Sequence, residues 1–222
     1  VHHILGLPVG QHIVVHADID GDEVTRSYTP TTLDTDEKSK GFFDLLIKTY
    51  DTGVMSQHFA QLKIGDTIAI TGPKGQFLYK PGCVSRLGMI AGGTGITPMY
   101  QIILAILENS KDKTKIDLIF GNVNEEDILL REHLESLAQN HSDQLRIHYV
   151  LNNKPNDSWT GGVGFVTKDM INEYLPPVSD KSSKILLCGP YVMVQAMKKN
   201  LTELGYPKGK AISKMVDQVF TF

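Results

Sequence analysis

The sequence predicts two domains in series, a β sandwich or barrel followed by a doubly wound α/β sheet. Three observations carry this expectation. Up to about Ser85, short strand-like segments are separated by glycine and proline turns. From Leu87 onward, apolar runs alternate with helical patterns of about 10 to 15 residues, the signature of a parallel sheet. At the first of these later strand-to-helix junctions stands a glycine cluster, Gly92-Gly93-Thr94-Gly95. The expected division is 1–86 and 87–222.

In the first region, Gln11–Ala17 alternates apolar and polar residues and runs into the turn Asp18–Asp22. Glu23–Tyr28 returns, ends at Thr29-Pro30, and is followed by a polar loop with Asp34, Asp36, Glu37 and Lys38. Gly41–Tyr50 is rich in aromatic and branched residues and is expected to be a strand. A short helix is expected from Met55 or Ser56 to Leu62, and a strand over Thr67–Thr71, closed by Gly72-Pro73-Lys74-Gly75. In the second region Leu87–Ala91, Ile116–Phe120, Leu145–Leu151, Ile185–Cys188 and Lys214–Phe222 are the expected strands. The expected helices run from Thr97-Pro98 to about Asn109, over Glu125–Asn140, near Lys168–Tyr174 and over Val192–Leu204. His2-His3 could open a further strand.

Composition excludes several classes. The 222 residues carry 22 Lys and Arg against 25 Asp and Glu, a formal charge of −3, which argues against a general nucleic-acid binder. With 41% apolar residues, a chain this long buries enough core to rule out disorder or coiled coil as a whole-chain description. Two cysteines, Cys83 and Cys188, make no disulfide framework. No apolar run reaches the length of a membrane span, and Val1-His2-His3-Ile4 has no signal-peptide organisation.

Four motifs carry chemistry. Gly92–Pro98 (GGTGITP) lies where a phosphate-binding turn belongs: glycines let a backbone approach a ligand, and a helix start offers unpaired N–H groups. Thr97 is the expected cap and Pro98 the first helical residue. The run lacks the third glycine of the dinucleotide fingerprint, so alone it also fits a tight turn without ligand. Cys188-Gly189-Pro190 ends a strand at the same carboxyl edge, where ligands of open α/β sheets bind, although Cys188 could simply be a small buried hydrophobe. Arg26-Ser27-Tyr28-Thr29-Pro30 ends a strand with a donor fork suited to phosphate and a ring suited to a flat heterocycle, or with an ordinary solvated edge. Gly53-Val54-Met55-Ser56 offers N–H groups and a hydroxyl at a helix start.

Taken in order, and with Gly161–Val166 (GGVGFV), these motifs resemble the NADH-cytochrome b5 reductase family of ferredoxin-reductase-like flavoproteins. The intervening text, Leu7–Ile13, Asp44–Tyr50, Gly65–Gly75 and Asp127–Arg131, is similar too, so the likeness spans nearly the whole chain. The resemblance implies an antiparallel FAD-binding β-barrel and a doubly wound NADH-binding domain. It implies that Arg26, with Ser27, meets the FAD pyrophosphate, that Tyr28 packs on the isoalloxazine and that Thr29 reaches its reactive nitrogen. Ile47, Lys48 and Tyr50 would line the adenosine-diphosphate side and the nicotinamide entrance, with Lys48 as the cation for NADH. Gly53, Val54, Met55 and Ser56 would cap the pyrophosphate, and Thr97 would approach the flavin. Gly93, Thr94, Phe165, Cys188, Gly189, Pro190 and Met193 are the matching NADH positions, with Cys188 orienting the nicotinamide. His12, on a strand that the family places beside Thr29, is expected to relay a proton with it; the plainer reading is a histidine satisfied within the barrel. No metal site is expected.

The implied activity is hydride transfer from NADH to FAD, then single electrons to cytochrome b5 or a similar haem protein. The alternatives are the reductase module of a multidomain enzyme such as nitrate reductase, a non-catalytic flavin or nucleotide sensor, and a flavin-free two-domain binder. The family also implies a monomer and an N-terminal anchor at the endoplasmic reticulum or mitochondrial outer membrane. Since family members have strands before Leu7–Ile13, the chain is expected to be N-terminally truncated. Three departures stand out. Pro190-Tyr191-Val192-Met193 stands where many members carry Pro-Pro-Pro-Met, which bears on the shape of the nicotinamide pocket. Asn152 occupies a position that is often acidic at the adenosine ribose, which weakens the expected discrimination against NADPH, and Val54 replaces a frequent lysine.

Overall fold

The computed structural model describes residues 3–222; Val1 and His2, and any strand start there, lie outside the described residues. The first region is built on a hairpin of β1 (His12–Ile19) and β2 (Asp22–Tyr28). Asp20 and Gly21 join them with φ of 56° and 87°, the positive pair that a type I′ turn requires. β3 (Ala69–Lys74) pairs with the other side of β1, giving the order β2-β1-β3. Pro73 is tolerated because β3 is an edge, and the register shifts opposite His12–Val14. Ile13 and Val15 point inward with Met55 of α1 (Val54–Gln61), and Leu5, Leu7, Phe43, Leu45 and Phe59 pack around them.

The segment expected as a strand over Gly41–Tyr50 forms no regular ladder. Thr31 N–H donates to Asp44 O (3.0 Å), but Asp44 N–H donates to the Thr32 hydroxyl (3.1 Å), and neighbouring Pro30 has no N–H to extend the pairing. Phe43 and Leu45 still reach the core, as the alternation in the sequence requires.

The second sheet contains β4 (Arg86–Gly92), β5 (Lys115–Asn122), β6 (Leu145–Leu151), β7 (Gly162–Val163), β8 (Ser183–Cys188) and β9 (Val219–Thr221). All pair in parallel in the order β7-β6-β5-β4-β8-β9. After β7 the chain returns to the far side of β4, so the order reverses between β4 and β8. Successive residues face opposite layers: Met89, Leu118 and Phe120 join α2 (Ile96–Leu107) and α3 (Arg131–Asn140), whereas Ile90, Ile119 and Leu187 join α4 (Lys168–Tyr174) and α5 (Tyr191–Glu203).

Phe77, Tyr79 and Val9, which flank the strands of the first region, join the first of these cores. Phe77 packs edge-on against Phe220 with ring centroids 5.0 Å apart, and buried Gln101 of α2 accepts the Gly10 N–H at 2.7 Å. These contacts set one sheet against the other.

Two expected elements are shorter than their sequence patterns. Glu125–Asn140 is split: a 3-10 turn at Glu125–Asp127 is followed by Leu130 at φ 58°, and only then does α3 begin. Asn124 and Asp127 cap one another reciprocally and close the turn early. Lys214–Phe222 keeps only three strand residues, because the Asp217 carboxylate accepts from Lys214 N–H (2.8 Å) and Lys210 Nζ (2.6 Å) and bends the chain.

Candidate active site

The glycine cluster positions one wall. Gly93 takes φ 51°, and a side chain on Gly95 would overlap the Cys188 carbonyl, so this turn lies directly against the end of β8. Helix α2 begins at Ile96, earlier than expected, and its N-terminus has no side-chain cap. Thr97 is therefore a first-turn residue rather than the cap, and its hydroxyl donates to Thr94 O at 3.2 Å. Pro98 falls on the third helical position, where no N–H is needed for the helix.

The opposite wall comes from the end of β2 and the segment before α1. Gly53 lacks room for a Cβ beside Ser56 Oγ. That hydroxyl accepts the Tyr50 N–H (3.1 Å) and donates to Gly53 O (2.9 Å), so it shapes the turn in preference to standing free as a donor. Met55 likewise turns its side chain into the core.

Between the walls lies a cleft of about 600 Å³. It brings together His12, Arg26, Ser27, Tyr28, Thr29, Ile47, Lys48, Tyr50, Gly53, Val54, Met55, Ser56, Thr94, Thr97, Cys188 and Gly189. Gly93, Asn152, Phe165, Pro190 and Met193 do not line it. Phe165 is 79% exposed, Asn152 and Pro190 are exposed, and Met193 packs beside Gly92. These five follow the carboxyl ends of β4, β6, β7 and β8. Gly95 and Pro98 of the expected phosphate-binding turn also line the cleft, and Leu46, Thr52 and Phe222 line it without having been singled out. Phe222 had no sequence signal, because its place depends on packing against Phe77 and Phe220.

The electrostatics follow from burial and from one ion pair. Arg26 donates to Thr25 O at 2.7 Å and has no carboxylate partner among the described residues. Tyr28 stands edge-on to Phe59, with ring centroids 5.3 Å apart, and burial raises its pKa against the opposing Arg26 charge. Burial pushes the Cys188 thiol up to about 12, so it stays protonated and is no nucleophile at neutral pH. Burial also lowers the His12 pKa. No hydrogen bond joins His12 to Thr29 among the described residues. Lys48 Nζ meets Asp127 Oδ1 at 2.6 Å, tying the first region to the turn before α3. Sequence reasoning assigned Asp127 no role.

Residues 1–79 match the family described as Oxidoreductase FAD-binding domain, and residues 89–199 match Oxidoreductase NAD-binding domain. The chain is 56% identical over 219 residues to NADH-cytochrome b5 reductase 1 of Laccaria bicolor, covering 99% of this chain and 70% of that one. It is 57% identical over 218 residues to the Candida albicans protein of the same name, covering 98% and 72%. The chain belongs to the NADH-cytochrome b5 reductase family. A solved structure, the cytochrome b5 reductase domain of Ulva prolifera nitrate reductase, superposes with a TM-score of 0.89 at 37% identity, covering 100% of this chain and 87% of that one. In this member of the family the cleft fits a flavin dinucleotide by its chemistry. Arg26 presents a guanidinium with no counter-charge, and the first turn of α1 has no side-chain cap to occupy its N–H groups.

Proposed function

We propose that the chain is an FAD-dependent oxidoreductase that takes a hydride from NADH and passes single electrons to cytochrome b5. The observation that carries this reading is the cleft itself, where the Arg26–Thr29 segment of one sheet faces Thr94, Cys188 and Gly189 of the other. Bound FAD supplies the conversion of a two-electron donor into one-electron transfers. Arg26 and the N–H groups of Val54, Met55 and Ser56 would hold the pyrophosphate, with Gly53, whose own N–H is taken by Tyr50 O (2.9 Å), shaping the turn; Tyr28 would pack on the ring and Thr29 would hydrogen-bond its edge. Cys188 is a neutral packing group that orients the nicotinamide, and Thr94 and Gly189 bring the backbone close. Gly93, Asn152, Phe165, Pro190 and Met193 guide the rest of NADH along the carboxyl edge of the sheet, outside the cleft proper. His12 and Thr29 line the same cleft, which supports a proton relay between them.

The reading divides the chain at residues 86 and 87 into FAD-binding and NADH-binding domains and makes it a monomer. It also places the enzyme at the cytosolic face of the endoplasmic reticulum or mitochondrial outer membrane. Among the described residues no helix is long and apolar enough to cross a membrane. A second reading, the reductase module of a larger enzyme with a fused haem domain, draws on the likeness to the Ulva prolifera domain. Stopped-flow mixing with NADH, followed by cytochrome b5 turnover across a salt series, tests the proposal. Flavin bleaching and a turnover that falls with salt are expected. A flavin that NADH does not bleach would overturn it.

A further inference from the structure

At the amino ends of β4, β5 and β8, the pole opposite the cleft, lies a groove of about 780 Å³. Four lysines line it, Lys111, Lys113, Lys181 and Lys184, against one carboxylate, Asp112. That carboxylate does not neutralise them. Asp112 is 2% exposed and accepts from Tyr79 Oη (2.6 Å), Thr114 N–H (3.0 Å) and Thr114 Oγ1 (2.7 Å), all neutral donors. None of the four lysines has a carboxylate within ion-pair distance among the described residues.

Lys184 is the informative member. It is 6% exposed, and its ammonium donates only to two neutral carbonyls, Met215 O at 2.8 Å and Asp217 O. The Asp217 side chain is itself paired with Lys210 at 2.6 Å. An ammonium taken out of water without a counter-ion is costly, and burial accordingly pulls the Lys184 pKa down. The hydroxyls of Ser85 and Ser182, bonded to each other, stand on the same wall, and Ser182 Oγ donates on to Asp180 Oδ1 at 2.6 Å. Composition does not explain such a cluster, because the chain as a whole is −3.

We propose that this groove binds a ligand bearing phosphate charges, with the exposed lysines as point charges and Lys184 as the buried anchor. Its volume lies within the range of about 300–1,000 Å³ that small-molecule sites occupy. The same chemistry would serve a soluble phosphorylated molecule or the headgroup of an anionic lipid. None of these residues lines the cleft, so the inference does not depend on the electron-transfer reading.

The test uses the FAD-loaded protein with NAD+ added, so that phosphate sites in the cleft are filled. One arm titrates inorganic pyrophosphate by calorimetry. The other measures co-sedimentation with phosphatidylcholine vesicles doped with phosphatidylinositol bisphosphate. Both are repeated on the triple variant Lys111→Gln, Lys113→Gln, Lys181→Gln, whose three positions are exposed and outside the core. Binding that weakens about 10-fold or more in the variant, with an unchanged rate of reduction by NADH, is the expected result. Pyrophosphate binding supports a soluble ligand, and vesicle binding alone supports a lipid headgroup. If wild type binds neither probe, or the variant binds as tightly as wild type, the proposal fails.

Discussion

Lys48 and Asp127 lie 79 residues apart and meet at 2.6 Å, with side chains 31% and 23% exposed. Asp127 is also held by Asn124, through its N–H at 3.0 Å and Nδ2 at 3.2 Å. The hydrogen bond from Lys48, foremost among these contacts, keeps the Asp127 carboxyl below the usual carboxylate range. Exposed ion pairs contribute about 0.2–1 kcal/mol and breaking buried ones costs about 3–5, so this half-buried pair is worth about 1–2 kcal/mol. If Lys48 is the cation for NADH, the cofactor competes with Asp127 for it. Asp127→Asn removes the competing charge while keeping the shape and an oxygen for the Asn124 N–H. At about 1.4 kcal/mol per factor of ten, KM for NADH should fall about 5- to 30-fold, with kcat within about two-fold. Steady-state NADH oxidation with ferricyanide as acceptor measures both. Tm should drop by about 2–8 °C. Because the folded pKa of Asp127 is depressed, its stabilisation is present above the ordinary carboxylate pKa and is lost as pH falls through the folded value. The Tm difference between wild type and variant should therefore be constant at neutral pH and vanish in acid. A KM that rises, or stays put while Tm falls, would refute the competition and leave Asp127 as an orienting or purely structural group.

Three further outcomes are expected. Gly95→Ala drives a Cβ into the Cys188 backbone and should cost about 3 kcal/mol, whereas Gly92→Ala meets the flexible Met193 thioether and should cost about 1 kcal/mol; equal losses in thermal unfolding would contradict this geometry. Asn152→Asp should lower kcat/KM for NADPH about 10-fold and leave NADH nearly unchanged, since a carboxylate repels a 2′-phosphate; parallel changes with both cofactors would remove Asn152 from the ribose site. Burial lowers the His12 pKa, so the folded state resists protonating it, and stability falls as pH drops below the ordinary imidazole value near 6.5. His12→Gln should flatten that acid slope and slow flavin reduction, and an unchanged rate and pH profile would exclude the relay.

Much of this was legible before any coordinates. Asp20-Gly21 marks its turn because few residues accept positive φ, and the strand–helix alternation from Leu87 marks the parallel sheet because both periods are local properties. The cleft residues contributed by Arg26–Thr29, Gly53–Ser56 and Cys188-Gly189 were readable as ordered motifs. The misreadings have a common cause, competition from side chains for backbone groups. Thr32 takes the Asp44 N–H, Asp127 ends a turn within an otherwise helical pattern, and Asp217 shortens the last strand.

The sequence by itself determined the element order, the fold class and the motifs of the cofactor cleft, because periodicity, glycine placement and strand-end chemistry act within a few residues. Only the tertiary structure decided that Lys48 is shared with Asp127, that Gln101 of α2 receives the N–H of Gly10 ahead of β1, and that four lysines from two segments converge at the far pole. Those pairings join residues distant in sequence, and which charges meet depends on how the first region packs through Phe77 and Tyr79 onto the core of the second.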